Sequence, residues 1–473
     1  MNENLTALIP EMALLGTAVL GLLAGSWLPR RRQWIVAVLA AAACTTALIA
    51  TALTMTGGRE QTVFSHTFAI DTATDVGRLI VLGALLLVIA MSVETVRGHR
   101  REAEYWVLLL LSGGGTLAMI GANDLLMLFA AYLLASIPAY ALAGFAKDAR
   151  GTEAALKYYL MGALLGTTML AGTALLYGAG HATLYRQLRA ALPAAPYGLV
   201  AVGLIATLAG LLFKAGAVPA HFWVPDVTDG APTPIAAYVT TLPKIGALIA
   251  VYRLLHQALA GSGVNWPLLL AILAAVTMTL GNLAAFFQTS VKRLLAYSTI
   301  SQVGYLLMAL AVATRTDVAQ RGLLVYLAAY AATNIAVFAV ATELPHAHTL
   351  ADYRGLARDR PGLAGVLVVC LLGLVGTPPT GVFLGKLEVF TATVNGGYTW
   401  LAALAVANTV ASLFYYLRWL APVFSISRPA TVGDHTVLGR WAAASAYTAA
   451  TLSLLLGIAG GALLPLTTGP LLP

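Results

Sequence analysis

Apolar residues in this chain run in long stretches, and polar residues gather in the short gaps between them. A helix needs about 20 apolar residues to cross the hydrocarbon of a bilayer. On that ruler the pattern predicts fourteen membrane helices, centred near Leu15, Ala43, Leu86, Leu111, Leu134, Leu165, Leu208, Leu248, Ala274, Leu306, Ala331, Leu371, Ala405 and Leu454. The longer gaps, 57–78, 179–197, 343–362 and 423–440, are too short for an independent domain. The expected fold class is an all-α polytopic membrane protein, a single integral membrane domain over 1–473. The first run, from Leu5 to Leu28, follows an acidic start and has no basic n-region, so it is expected to stay as a helix.

Composition agrees with this reading. The chain is 59% hydrophobic and 10% charged, whereas soluble domains are about half apolar and about a quarter charged. So few charges cannot cover a water-soluble surface, and they exclude a disordered, charge-rich chain as well. The net charge is +8, yet no basic surface interleaved with aromatics points to nucleic acid. The basic residues follow topology instead. Odd-numbered loops hold Arg30, Arg31, Arg32, Arg97, Arg100, Arg101, Lys147, Arg150, Lys292, Arg293, Arg354, Arg358, Arg360, Arg418, Arg428 and Arg440. Even-numbered loops and their helix ends hold Arg59, Arg78, Arg186, Arg189, Arg253, Arg315 and Arg321. Sixteen against seven puts the odd loops in the cytoplasm by the positive-inside rule. Both termini are then outside, in a multi-pass protein of the cell inner (plasma) membrane. Cys44 and Cys370 lie far apart inside apolar runs and read as inert core thiols.

Candidate chemistry sits on the lysines. There are six: Lys147 and Lys292 in loops, Lys157 near the start of the sixth helix, and Lys214, Lys244 and Lys386 inside apolar segments. A lysine at helix centre costs roughly 2.5–3.5 kcal/mol on insertion scales. Burial disfavours the charged form, so such an amine can give up and take back a proton. Intramembrane lysines usually mark an ion or proton path. A lysine that only locks two helices together is the plainer reading, but three together, two beside helix breakers, favour a path.

Those breakers are specific. Lys214 stands in LLFKAGAVPAHFWVPD, where Gly216 and Pro219 interrupt the span after the lysine. Lys386 stands in GLVGTPPTGVFLGKLEVF, where Gly376, Pro378, Pro379 and Gly381 interrupt it before the lysine. Paired broken helices in two halves of a chain point to inverted repeats. Helices seven and twelve are five apart, an odd offset that reverses orientation. Two inverted five-helix repeats are therefore expected, helices 4–8 (104–258) and 9–13 (266–422). They are preceded by three N-terminal helices (1–100) and followed by a C-terminal one (437–465). His221 and Glu388 fall on the broken segments and are candidate members of the path. Tyr297, Ser298, Ser301, Gln302 and Tyr305 on the tenth helix, and Asn334 on the eleventh, read equally well as a proton wire or as interhelical hydrogen bonds.

Other signals carry less. His346 and His348 form an HxH pair without further metal ligands nearby in sequence. Gly113, Gly114 and Gly115 lack the rest of a phosphate loop and read as helix-packing glycines. No metal or catalytic residue is assigned. No dinucleotide, haem or hydrolase motif is visible, so no redox chemistry is expected within this chain.

ANDLLMLF, GTEAALKYYL, FKAGAVPAHFWVPDVTDGAPTPIAAYVTTLPKIGAL, VKRLLAYSTISQVGYLLMAL, DYRGLARDRP and GTPPTGVFLGKLEVF occur in this order across 122–390. Together they resemble the antiporter-like membrane subunits of bacterial NADH-quinone oxidoreductase, respiratory complex I. That family is shared with Mrp-type cation/proton antiporters and membrane-bound hydrogenases. IPEMALL, ANDLL and TEAALKYY, with no lateral-helix extension before Pro473, look most like its N-type members, whereas SQVGY is nearer the L-type. The resemblance implies fourteen helices, inverted five-helix repeats and a hydrophilic axis through the membrane centre. It also implies Lys214, Lys244 and Lys386 as the proton-translocating residues, with other membrane subunits and a peripheral redox arm as partners. NADH and quinone would be used by the assembled complex, and this chain would bind no cofactor. An Mrp-type sodium/proton antiporter or hydrogenase subunit is the alternative.

One departure stands out. The family carries a glutamate in its fifth helix, in a segment like LFLGLELLSLP, as the charge partner of the seventh-helix lysine. Here the stretch is LFAAYLLASIP, and Leu133 occupies that position. Asp124 is nine residues away, roughly 13 Å along a helix, and belongs to the helix entrance. Lys214 is therefore expected to lack its carboxylate, which also opens a third possibility, a non-conducting scaffold subunit.

Overall fold

In hydrocarbon every backbone N–H and C=O must be satisfied within the protein, so long apolar runs fold as helices. The computed structural model of the chain describes residues 4–58, 60–425 and 439–472. Its helices are α1 (Ile9–Trp27), α2 (Trp34–Thr56), α3 (Thr72–Val96), α4 (Glu102–Gly121), α5 (Leu125–Ala143), α6 (Ala149–Gly180), α7 (Tyr185–Ala191), α8 (Tyr197–Ala215), α9 (Trp223–Gly230), α10 (Thr233–Gln257), α11 (Trp266–Ala285), α12 (Val291–Ala311), α13 (Val318–Glu343), α14 (Leu356–Asp359), α15 (Pro361–Val375), α16 (Gly381–Asn395), α17 (Thr399–Val423), α18 (Trp441–Ile458) and α19 (Gly460–Leu463).

Each of the fourteen predicted centres falls inside one of these helices. Among the described residues, thirteen helices are individually long and apolar enough to cross a membrane. The remaining crossing is divided between α15 and α16. At 15 residues α15 spans about 22 Å, short of a hydrocarbon core of about 30 Å. The seventh crossing is broken too: α8 ends at Ala215 and α9 resumes at Trp223. Arg59, Arg428 and most of the gap 423–440 lie outside the described residues.

The gap 57–78 holds a feature that the apolar pattern misses. β1 (Gln61–Val63) and β2 (Phe68–Ile70) form an antiparallel hairpin with Gln61 opposite Ile70 and Val63 opposite Phe68. The hairpin is tied to the α4–α5 junction by Asn123, whose N–H donates to Thr67 O at 2.8 Å. Lys292, expected in a loop, is instead the second residue of α12.

Depth in the bundle is uneven. The apolar core of α10 is 100% buried and those of α12 and α13 are 94% buried, while α2, α6 and α18 are 33% buried and form the rim. The three inner helices therefore set the axis. Close approach of α4 to α5 needs Gly115, where a Cβ would lie 2.2 Å from the Ala135 nitrogen. Gly113 and Gly114 likewise face Leu85 and Leu15, as packing glycines do.

Two buried arginines clamp the even-loop ends of α1, α3 and α10. Arg253 on α10 donates to both Asp71 oxygens at 2.7 Å, to Thr74 Oγ1 at 2.9 Å and to Ile120 O at 3.3 Å. Both side chains of that pair are fully buried. Arg78 on α3 holds Glu11 of α1 with two bonds of 2.8 Å, and Asp75 at 3.2 Å. Neither arginine therefore reports on loop charge. Burial works against ionisation of Asp71, but the Arg253 guanidinium holds its carboxyl below the usual carboxylate range. The pair thus stabilises the fold above the unfolded-state pKa of about 3.9, and its contribution is lost as pH falls through the lower folded value.

Removing one member of a buried pair costs about 3–5 kcal/mol. Arg253→Met is expected to lower the midpoint of thermal unfolding in detergent accordingly. Arg293→Met, which removes the partly exposed pair with Asp226, should cost no more than about 1 kcal/mol.

Candidate functional site

The two broken crossings are built alike. α8 ends on Gly216 at φ +80 and α15 on Gly376 at φ +96, the left-handed region that favours glycine. In each, the glycine N–H and the next N–H turn back onto the last carbonyls: Ala217 N to Leu212 O at 2.9 Å, and Thr377 N to Leu372 O at 3.2 Å. A proline follows three residues after each glycine, Pro219 and Pro379. Side chains then satisfy the carbonyls left over. Trp223 Nε1 donates to Phe213 O at 2.9 Å, Gln302 Nε2 to Leu374 O at 2.8 Å, and Lys386 Nζ to Val375 O at 2.8 Å.

Lys386 is thus seated on the carbonyl end of α15, where the helix dipole favours a cation. Its Nζ also donates to Thr409 Oγ1 at 3.3 Å and lies 4.1 Å from the centre of the Tyr305 ring. Glu388, two residues on, faces α13 and pairs with Arg321 at 2.7 Å. The structure does not bring Glu388 into contact with the Lys386 amine.

Lys214 is fully buried. Its Nζ donates to Ser136 Oγ at 2.9 Å and to Ala135 O at 3.0 Å, both on α5. The rings of Tyr158 and Tyr140 lie 5.7 and 5.9 Å from it. Pro138 sits inside α5, and its missing N–H leaves the Leu134 carbonyl without a helical donor. Leu133 is 37% exposed on the outer surface of the helix. Asp124 caps α5, accepting from Leu126 N at 2.8 Å and Met127 N at 3.0 Å, as its place at the helix entrance implied. The acceptors of Lys214 are therefore a hydroxyl and a carbonyl, both neutral. Sequence reasoning missed them, although Tyr132, Ser136 and Tyr140 recur at i, i+4, i+8 and could have been read as one face.

Lys244 is the least well satisfied of the three. Among the described residues its hydrogen-bond partner is the Tyr330 hydroxyl, at 3.4 Å, with that ring centre 5.1 Å away. Tyr330 Oη donates to Thr240 O at 2.9 Å and meets Thr299 Oγ1 at 2.8 Å. From Thr299, α12 carries Gln302 and Tyr305 at steps of three residues, about 4.5 Å each. Gln302 bonds the Tyr326 hydroxyl, and Tyr305 Oη accepts from Thr409 Oγ1 at 3.4 Å. Thr409 in turn touches Lys386. Polar groups on α12 and α13 thus stand at intervals between the surroundings of Lys244 and those of Lys386, without a continuous chain of direct hydrogen bonds among the described residues. Ser298 meets Tyr416, and Asn334 donates to Thr241 Oγ1 at 2.8 Å. Tyr297 is only half-buried.

His221 lies in the α8–α9 break, 6% exposed. Its Nδ1 has no partner among the described residues, and the same holds for Tyr158 Oη, Tyr238 Oη, Ser301 Oγ and Asn334 Oδ1. Buried polar atoms of this kind are completed by ordered water. Among the described residues, no ion pair includes Lys214, Lys244 or Lys386. Lys157, by contrast, is half-exposed and pairs with Glu153 and Asp226.

A cavity of about 790 Å³ opens on the odd-loop face, lined by His99, Asp148, Asp229, Thr289, Lys292 and His348 among others. Lys292 Nζ donates to Asp229 O at 2.8 Å and Ala231 O at 2.7 Å, closing the end of α9.

Crossings broken in the same way, with buried lysines around them and inner helices joined by hydroxyls and amides, define an antiporter-like polytopic membrane fold. Residues 122–412 match the family model described as NADH:quinone oxidoreductase/Mrp antiporter, TM. NADH-quinone oxidoreductase subunit N 1 of Streptomyces griseus is 57% identical over 466 residues, 98% of this chain and 98% of that one. Subunit N of a Mycobacterium species is 49% identical over 458 residues, 97% of each. A chain of respiratory complex I from Thermus thermophilus with bound aureothin superposes at TM-score 0.84 with 31% identity, over 97% of this chain and 100% of that one. A chain of the Mrp complex from Dietzia sp. DQ12-45-1b shares the fold at TM-score 0.85 and 22% identity, over 98% and 96%. The chain belongs to the NADH:quinone oxidoreductase/Mrp antiporter membrane family, on its subunit N side.

Gly376→Ala forces a side chain into positive φ and against the Lys386 stem, 2.9 Å from the added Cβ. It is expected to cost about 1–3 kcal/mol. Gly365→Ala, at a helical site with nothing within 4 Å, should be neutral or slightly stabilising. Thermal unfolding of the two variants side by side checks this.

Proposed function

We propose that the chain is a proton-translocating membrane subunit of an NADH-quinone oxidoreductase. It works beside other membrane subunits in the inner (plasma) membrane, with NADH oxidation and quinone reduction carried out elsewhere in the complex. Lys214 receives protons, Lys244 relays them, and Lys386 exchanges them with the outer side; both termini lie outside. Residues 104–258 and 266–422 act as the inverted repeats that carry the two half-paths. One observation carries the reading: Thr299, Gln302 and Tyr305 follow at three-residue steps along α12, between the Tyr330 hydroxyl that Lys244 meets and the Thr409 hydroxyl that Lys386 meets. Water at His221, Tyr158, Tyr238, Ser301 and Asn334 completes the wire. The cavity at Lys292 and Asp229 is the cytoplasmic mouth. Glu388, held by Arg321, lies toward the exit.

The neutral surroundings of Lys214 favour a second reading, a scaffold that does not conduct. The two separate by experiment. Lys386→Ala in the assembled complex is expected to lower the number of protons moved per electron, and an unchanged ratio would overturn its role. Lys214→Ala should do the same; no effect there, with no conduction by the native subunit, would favour the scaffold. For the mouth, Thr289→Cys is expected to react with a membrane-impermeant thiol reagent from the cytoplasmic side only. The native Cys44 and Cys370 are fully buried and silent, so labelling from the opposite side would reverse the orientation.

A further inference from the structure

On the lipid-facing surface a groove of about 610 Å³ runs between α2, α3 and α18. Its depth is aliphatic: Val38 and Ala41 of α2, and Leu86, Ile89, Ala90 and Val93 of α3. Its other end is different in kind. Trp34, Arg97, Glu102, Trp106 and Trp441 line it there. All five stand at or within one turn or so of helix ends that border odd-numbered loops.

Two donors at that end have no acceptor. Trp106 is 1% exposed, and its Nε1–H has no partner among the described residues. A buried indole N–H normally finds one. Arg97 is exposed and makes no ion pair or hydrogen bond among the described residues through its side chain. The one carboxylate lining the groove, Glu102, accepts from Gly98 N at 2.8 Å and is engaged locally. Arg32 precedes Trp34 by two residues and Arg440 immediately precedes Trp441, both exposed, which adds positive charge to the same rim. A free guanidinium and an indole N–H above an aliphatic slot, flanked by half-exposed tryptophans, match a lipid at the headgroup level of a membrane.

We propose that this groove binds one anionic phospholipid of the cytoplasmic leaflet. Its phosphate sits on Arg97, a headgroup or ester oxygen accepts from Trp106 Nε1–H, and an acyl chain lies along α2 and α3. The lipid fills the slot between the N-terminal helices and α18, two parts of the chain far apart in sequence.

The test uses the detergent-purified complex and phosphatidylglycerol or phosphatidylcholine carrying a photoreactive group in one acyl chain. Adducts are mapped by peptide mass spectrometry. Phosphatidylglycerol adducts are expected on residues 34–41 and 86–93, with phosphatidylcholine giving clearly fewer. Arg97→Gln should reduce the phosphatidylglycerol adducts about fivefold, the effect of one basic residue near the surface. Ala90→Trp, which fills the slot from its wall, should abolish them, and Trp106→Phe should lower them while keeping the core packed. Equal labelling by the two lipids, or adducts at these residues undiminished in both Arg97→Gln and Ala90→Trp, would overturn the proposal. Labelling confined to other surfaces would do so as well.

Discussion

The governing constraint is that nothing in the hydrocarbon can solvate a charge or an open helix end. Every buried cation must find an acceptor within the protein, and every broken helix must find donors for its last carbonyls. Here the two requirements answer each other. Breaking the twelfth crossing leaves the carbonyls of Leu374 and Val375 free, and Gln302 and Lys386 take them. On the seventh, Trp223 takes Phe213 O, and Lys214 reaches across to α5, where Pro138 interrupts the hydrogen-bond ladder. On the twelfth crossing, then, the lysine and the helix break satisfy each other directly.

The acceptors are carbonyls, hydroxyls and aromatic faces, not carboxylates. That choice bears on function. A lysine paired with a buried carboxylate leaves an uncompensated anion when it loses its proton, which holds the proton in place. A lysine held by Ser136 and a carbonyl, or by Tyr330, leaves only neutral groups behind. Carboxylates are placed elsewhere: Asp71, Glu11 and Asp75 bind arginines near the helix ends, and Glu388 binds Arg321. Charge pairing is thus used to clamp the bundle, while neutral acceptors hold the three buried lysines.

This separation also places the missing glutamate in context. Position 133 looks outward from α5, toward whatever adjoins this chain, while Ser136 one turn on looks inward. A carboxylate at 133 would stand on the outer surface of the helix. The inner face of α5 keeps Lys214 satisfied through Ser136 and Ala135 without it.

Much of this was legible in the sequence. All fourteen crossings, both breaks and the three buried lysines follow from hydropathy, glycine and proline, because membrane insertion and backbone bonding act on local stretches of chain. The β1–β2 hairpin was not legible, since three-residue strands are stabilised by what they dock on. Nor was the pairing of Arg253 with Asp71, 182 residues away, or the turn of Glu388 toward Arg321 and away from its neighbour Lys386. The tenth-helix cluster meets Tyr330, Tyr326 and Thr409, partners on other helices that its own sequence does not specify. Which stretches form long apolar helices is a property of segments, and the chain alone determined it. Which acceptor each buried cation finds depends on helices brought together from distant positions, and only the tertiary structure decided that.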